Sequence, residues 1–126
     1  MKILNIIETA YRATLEEQDD TIVWLSHSLK GAGAELDVLL QGNAVNYIVT
    51  AQNVSGLQIG SSQQTQPPRI VEDINGLMEK GCNVYVVSED LNDRGINSTS
   101  TLAGVNFIER SNLPECLDQY HQVWHW

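Results

Sequence analysis

Five short apolar runs along the chain have the length and composition of buried β-strands. They are bounded by glycine, asparagine and other polar residues, as strands of a compact domain usually are. The predicted strands are residues 4–7, 35–40, 83–87, 105–108 and 122–126. Their near-continuous apolar character is typical of strands that are covered on both faces of a parallel sheet.

Between these runs, apolar residues recur at helical spacing. A first helix is predicted from a cap at Asp19 or Asp20 to about residue 30. A second is predicted over 70–78, where apolar residues recur at i, i+1, i+4, i+7 and i+8. Asn112 and Glu115 have the spacing of a capping box, which predicts one more short helix before the last strand.

The remaining segments are less regular. Residues 43–49 predict a short helix, and the polar, proline-terminated stretch 61–68 predicts a loop. Strands that alternate with helices favour βαβ units and a mainly parallel sheet between helical layers. With no internal repeat and a length of 126 residues, we expect residues 1–126 to form one domain.

The charge balance narrows the classes of partner. The chain has 16 acidic and 7 basic residues and a formal net charge of -9, which argues against nucleic acids and anionic membrane surfaces. No apolar run is long enough to span a bilayer, and residues 1–8 lack the features of a signal peptide. We therefore expect a cytoplasmic protein whose two cysteines, Cys82 and Cys116, are reduced.

Three segments carry a family resemblance. They are Leu-Leu-Gln-Gly-Asn-Ala-Val at 39–45, Leu-Asn-Asp-Arg-Gly-Ile at 91–96, and a short helix followed by an aromatic strand at 113–126. Together they resemble the DsrE/DsrF/DsrH sulfur-relay superfamily, which includes the similar TusB, TusC and TusD subunits. The first segment is similar to the end of the family's second strand and its Gly-Val turn, and the second resembles the family's Leu-x-x-Arg-Gly-hydrophobic signature.

The resemblance implies a flavodoxin-like, three-layer α/β/α domain that forms homo-oligomers, often trimers or hexamers. It also implies work on a cysteine persulfide that passes between proteins. In active members the relay cysteine lies eight positions before the glycine of Arg-Gly, and here that position is Val87. The chain thus resembles members without the relay cysteine, and we expect a non-catalytic scaffolding or docking subunit that meets a persulfide-carrying partner.

Two other functions remain open. A sulfurtransferase could use a displaced cysteine, Cys116 or Cys82, although a structural role is the expectation for both because free cysteines are usually buried. A small-molecule binding module is the other alternative, but no phosphate-binding loop follows the first strand, so no cofactor is expected. Cys116, His121 and His125 match no common zinc spacing, and no metal is expected.

Ligands of open α/β sheets bind at the carboxyl ends of the strands. The residues expected to line a cleft at this edge are Glu8, Tyr11, Asn43, Ser88 and Arg94. Arg94 could bind an anion, such as a persulfide or a partner's carboxylate. The equally open alternative for Arg94 is an ion pair with a neighbouring acidic residue, and residues 88–90 could instead cap a short helix. The neighbouring acidic residues are Glu89, Asp90 and Asp93.

Overall fold

The structure, a computed structural model, describes residues 1–12, 19–52 and 55–126. The strands are β1 (Lys2–Ile7), β2 (Glu35–Leu40), β3 (Gln58–Ile59), β4 (Ser62–Gln63), β5 (Val84–Val87), β6 (Asn106–Ile108) and β7 (Gln122–His125). The α-helices are α1 (Thr21–Gly31), α2 (Ile70–Glu79), α3 (Ser88–Asp93) and α4 (Leu113–Leu117). Three 3-10 turns occupy Gly42–Ile48, Ser98–Ser100 and Arg110–Asn112.

Five strands form one parallel sheet in the order β6-β5-β2-β1-β7. From β1 to β6 the chain adds strands in one direction, and right-handed crossovers therefore leave the connecting helices on one face. The last connection returns across the sheet, so that β7 pairs with the outer side of β1 and α4 lies on the opposite face. The direction of strand addition thus reverses between β1 and β7.

The larger core lies between the sheet and the helices α1, α2 and α3. Ile22 and Val23 of α1 and Ile74 and Leu77 of α2 are buried against the sheet. Asp20 caps α1, because its Oδ1 accepts hydrogen bonds from the amides of Ile22 and Val23 at 2.9 Å. The predicted first helix and its cap are therefore confirmed.

The opposite face carries a smaller core. Leu4, Ile6, Leu39 and Val87 are buried there under the segment that contains α4. The side chains of α4 that pack on this core are partly buried, as the short helix covers only part of the face. The predicted α/β fold with a mainly parallel sheet of about five strands between helical layers is confirmed, and it is consistent with a flavodoxin-like arrangement.

Two sequence predictions were wrong in detail. The segment predicted as a loop at 61–68 contains β4, which forms a small antiparallel hairpin with β3. The capping box does not form, because Asn112 ends a 3-10 turn with helical φ and ψ of -94° and -2° and makes no side-chain capping bond. In the described ranges, no helix has the length and apolar content needed to cross a bilayer.

Candidate functional site

A continuous set of hydrogen-bonding groups runs along the carboxyl ends of the sheet strands. We call it the carboxyl-edge rim. Its members are Glu8, Gln41, Gly42, Asn43, Asp90, Arg94, Arg110 and His125. Together they follow or end the five strands β1, β2, β5, β6 and β7, and parallel strands bring their carboxyl ends to one edge.

Asp90 joins the centre of the rim to its β6 side. One carboxylate oxygen accepts from the Gly42 amide at 2.7 Å, and the other accepts from Arg110 Nη2 at 2.7 Å. Gly42 has a φ of +55°, which favours glycine, and a Cβ there would lie 2.9 Å from Glu8 Cγ.

Neither Ser88 nor Glu89 nor Asp90 caps α3, because that helix begins without a side-chain cap. The alternative of capping by residues 88–90 is therefore wrong.

Arg94 lies beside Asn43 at the exposed surface of the rim. Its Nε and Nη2 donate to Asn43 Oδ1 at 3.2 and 2.9 Å, and its Nη1 donates to the main-chain carbonyl of Asp90 at 3.1 Å. Within the described ranges, no carboxylate lies within ion-pair distance of this guanidinium. The neighbouring Asp90 carboxylate forms an ion pair with Arg110. The side chain is thus oriented by neutral partners, and its positive charge is not paired with a carboxylate of the described ranges.

Glu8 and His125 meet where the direction of strand addition reverses. His125 Nε2 lies 2.6 Å from Glu8 Oε2, and Gln41 Nε2 lies 3.5 Å from each of them. The end of β7 is fixed beside Glu8, because the Trp126 carbonyl accepts from the Glu8 amide at 3.0 Å. Such a reversal point is where open parallel sheets commonly form a ligand crevice.

Two of the residues predicted to line the edge lie away from this rim. Tyr11, with a φ of +58°, is packed edge-on against Tyr47 at a ring separation of 5.4 Å. Its main-chain amide donates to the Tyr47 hydroxyl, which in turn donates to Asp20. Ser88 lines a separate open groove of about 350 Å³ beside Phe107. The structure therefore groups Glu8, Asn43 and Arg94 and separates them from Tyr11 and Ser88.

Val87 ends β5, at the position where the resemblance implies a relay cysteine. Its side chain is 1% exposed and belongs to the smaller core with Leu4, Ile6 and Leu39. It therefore faces the interior beneath the α4 segment. The rim residues contributed after this strand are Asp90 and Arg94.

Both thiols are buried. Cys82 precedes β5 at the amino edge of the sheet, and burial, followed by the charge of Asp37, raises the pKa of its thiol to about 12. Cys116 in α4 lines a shallow groove of about 310 Å³ with Tyr85 and Asn106. Burial and then Asp37 also raise the pKa of the Cys116 thiol. Both thiols are held in the protonated form, which is a poor nucleophile.

Arg110, Gln41 and His125 belong to the rim but were not predicted to line it. Gln41 directly follows β2 and Arg110 lies two positions after the end of β6, so the rule that selected Asn43 could have found them. His125 requires the knowledge that β7 pairs with β1, which no local pattern supplies. Among the described residues, no three His, Cys, Asp or Glu side chains form a group that could hold a metal ion.

The fold is similar to that of several solved structures. The ychN protein of E. coli, which has a DsrE-like fold, superimposes with a TM-score of 0.74 at 15% identity over 100% of both chains. A conserved protein of unknown function from Bacteroides thetaiotaomicron gives a TM-score of 0.68 at 14% identity, covering 99% of this chain and 95% of its own. A protein of unknown function from Methanobacterium thermoautotrophicum gives 0.60 at 12% identity, covering 97% and 96%. No protein-family model and no curated protein sequence matches the chain. At these identities the likeness concerns the fold alone.

Proposed function

Proceeding from this fold, we propose that the chain is a non-catalytic docking subunit of a cytoplasmic sulfur relay. In this role it forms a homo-oligomer and binds a persulfide-carrying partner protein without accepting the sulfur itself. The partner's anionic persulfide or a nearby carboxylate meets Arg94 at the carboxyl-edge rim. The sulfur chemistry remains on the cysteine of the partner.

The observation that carries the proposal is the state of the three positions at which a sulfur could be held. Val87 has no thiol and is 1% exposed. Cys82 and Cys116 are 4% and 6% exposed, and burial raises the pKa of each thiol. A persulfide acceptor must be an accessible thiolate, so all three positions favour a subunit that does not carry sulfur.

The docking part of the proposal depends on Arg94. Its guanidinium is aligned by Asn43 and is not neutralised by any described carboxylate. An arginine oriented in this way presents donors for a planar or tetrahedral anion, and its charge can guide an anionic group to an otherwise acidic protein. The proposal thus assigns Arg94 to recognition and Asn43 to its orientation.

Sulfur transfer through a displaced cysteine is a second candidate, favoured by one observation. Cys116 contributes to the wall of an open groove, whereas Cys82 lies at the amino edge of the sheet. In that reaction the Cys116 thiolate would attack the outer sulfur of a donor persulfide, forming a new S–S bond while the donor leaves as a thiolate. The raised pKa of Cys116 counts against this reaction.

Mass spectrometry separates the two candidates. We expect the intact protein, incubated with glutathione persulfide near neutral pH, to gain no sulfur atom on either cysteine. The variants Cys116→Ser and Cys82→Ser identify the site if a mass increase does occur. A stoichiometric gain of one sulfur that disappears in Cys116→Ser would replace the docking proposal with the transfer proposal.

The role of Arg94 is tested separately with thiosulfate, a small anion that contains sulfane sulfur. In NMR titrations we expect saturable shifts of the Arg94 Nε–H and the Asn43 side-chain amide signals. The variant Arg94→Gln removes the saturable shift of the Asn43 side-chain amide, whereas Arg69→Gln, at an exposed arginine paired with Glu72, leaves both shifts unchanged. Shifts of equal size that survive in Arg94→Gln would contradict anion recognition at the rim.

A further inference from the structure

One long segment of this acidic chain carries no charge. Residues 38–68 contain no Asp, Glu, Lys, Arg or His, although the chain as a whole has a net charge of -9. The first part of this segment is largely buried and comprises the end of β2 and the 3-10 turn Gly42–Ile48. The last part is exposed and forms the β3–β4 hairpin. We call residues 56–64 the uncharged arm.

The arm has a defined geometry. Gln58 pairs with Gln63 and Ile59 pairs with Ser62, while the Gln64 amide donates to the Leu57 carbonyl at 2.7 Å. At the base of the arm, a Cβ on Gly56 would lie 2.2 Å from the Gln64 carbonyl oxygen. The residue at this position must therefore be glycine for the two sides of the hairpin to meet.

The arm exposes apolar side chains that its own chain does not cover. Leu57 is 43% exposed and Ile59 is 76% exposed. The two are separated by one residue along an extended segment, so they point to the same face of the hairpin. A two-stranded hairpin without a covered apolar face is only marginally stable in water. The structure of the arm therefore calls for a surface that covers Leu57 and Ile59.

We propose that the Leu57–Ile59 face of the uncharged arm is a contact surface between two copies of this chain. The inference rests on the homo-oligomer of the proposed function and specifies where its subunits meet. Burial of these side chains against the neighbouring subunit removes apolar surface from water and stabilises the hairpin.

The charge distribution identifies a second copy as the occupant. Two chains that each carry a net charge of -9 repel one another wherever their acidic surfaces approach. When the uncharged arm forms the contact, it brings no charge of its own toward the acidic surface of the other copy. A basic partner would instead gain most by meeting the acidic surface, because complementary charge favours association. The arm is thus the exposed region where self-association meets the least electrostatic resistance.

Sedimentation velocity of the full chain over a range of concentrations tests the proposal. We expect the wild-type protein to sediment as a multiple of its 14.0 kDa subunit mass. Ile59→Asp and Leu57→Asp should each move the midpoint of self-association to at least about tenfold higher concentration, because each brings a charge into an apolar contact. The matched control is Trp24→Asp, since Trp24 is 58% exposed on α1 outside the uncharged segment. It should leave the midpoint unchanged.

The outcomes distinguish the two levels of the proposal. A wild-type chain that remains a monomer at every concentration overturns both the homo-oligomer and the arm contact. A wild-type oligomer that persists unchanged in Ile59→Asp and Leu57→Asp overturns the arm contact alone.

Added salt should leave association unchanged or strengthen it, because salt screens the repulsion between acidic subunits. Dissociation by salt would contradict an uncharged interface. Circular dichroism establishes that each variant is folded, and the polar variant Ile59→Asn separates lost apolar contact from added charge.

Discussion

The Tyr120 hydroxyl donates to Asp37 Oδ2 at 2.7 Å, across 83 positions of the chain. Asp37 is 4% exposed within β2, and its other oxygen accepts from the Asn83 amide at 2.8 Å. Lys2 Nζ lies 3.7 Å from the same carboxylate and 4.7 Å from the centre of the Tyr120 ring. Burial, and then the hydrogen bond to Asp37, raises the pKa of Tyr120. This buried carboxylate therefore connects the amino ends of three strands to the segment that follows α4.

Asp37→Ala should destabilise the protein strongly. It leaves the Tyr120 hydroxyl and the Asn83 amide without their acceptor, and the loss of buried hydrogen bonds to a charged group costs about 3 kcal/mol. The free energy of unfolding from urea titration measures the effect. The control Glu35→Ala, at an exposed position of the same strand, should change it by less than about 0.5 kcal/mol. Similar losses for both variants would show that the Asp37 network contributes little.

Gly42→Ala should cost more stability than Gly81→Ala. Both glycines have positive φ, +55° and +80°, so each alanine introduces backbone strain of about 1 kcal/mol. At Gly81 a Cβ would meet no atom within 4 Å, whereas at Gly42 it would lie 2.9 Å from Glu8 Cγ. We expect Gly42→Ala to cost about 1 kcal/mol more and to shift the His125 ring signals in NMR spectra, because Glu8 must move. Equal costs and an unchanged His125 would contradict the close approach.

Asp73 should make a contribution to the stability of the fold that falls as the pH rises from about 4 to 7. Burial, followed by the charge of Asp19 and a hydrogen bond with it, raises the pKa of Asp73 from 3.8 to about 6. The folded state therefore holds a proton that the unfolded state has released, and this contribution is lost as the pH rises through 6. Asp73→Asn should be about 1 kcal/mol more stable than wild type at pH 7, after allowance for solvent screening.

The difference between Asp73→Asn and wild type should disappear below about pH 3.8, where Asp73 is neutral in both the folded and the unfolded state. Urea unfolding at several pH values measures it. The matched control Asp93→Asn lies at the exposed end of α3 and should follow the wild-type profile. An Asp73→Asn profile parallel to that of wild type between pH 4 and 7 would exclude Asp73 as the source of the pH dependence.

Most of the layered fold could be predicted from the sequence, since local patterns mark its elements. The run at Glu35–Leu40 forms β2, and apolar residues at helical spacing form α2. The rule that parallel strands end at one edge also brought Asn43 and Arg94 together, although their contact joins residues 51 positions apart. The β3–β4 hairpin was missed because its polar residues, Gln58 and Ser62 among them, lack the alternation that marks a strand.

The rest depends on contacts between distant segments. β7 pairs with β1 rather than with β6, and parallel pairing between the two ends of a chain has no local signal. The meeting of His125 with Glu8 follows from that pairing, so it could not be predicted from either residue. Asp37 lies between Leu36 and Val38 of β2, and only the folded chain provides Tyr120 as a donor to its carboxylate. The rim residues that follow a strand end could therefore be predicted from the sequence. The residue that the strand order brings to the rim, His125, could not.

A thiol introduced at Val87 should remain unreactive in the folded protein. The Val87 side chain is 1% exposed among Leu4, Ile6 and Leu39, so Val87→Cys places its sulfur in the smaller core. Burial in apolar surroundings raises the pKa of such a thiol and excludes a reagent. We expect a chromogenic disulfide reagent to label Val87→Cys only on unfolding, while Trp24→Cys, at a 58% exposed position outside the uncharged arm, reacts at once. Equally fast labelling of both variants would mean that the end of β5 opens to solvent. Position 87 would then lack a reactive thiol only because its residue is valine, and not because the position is buried.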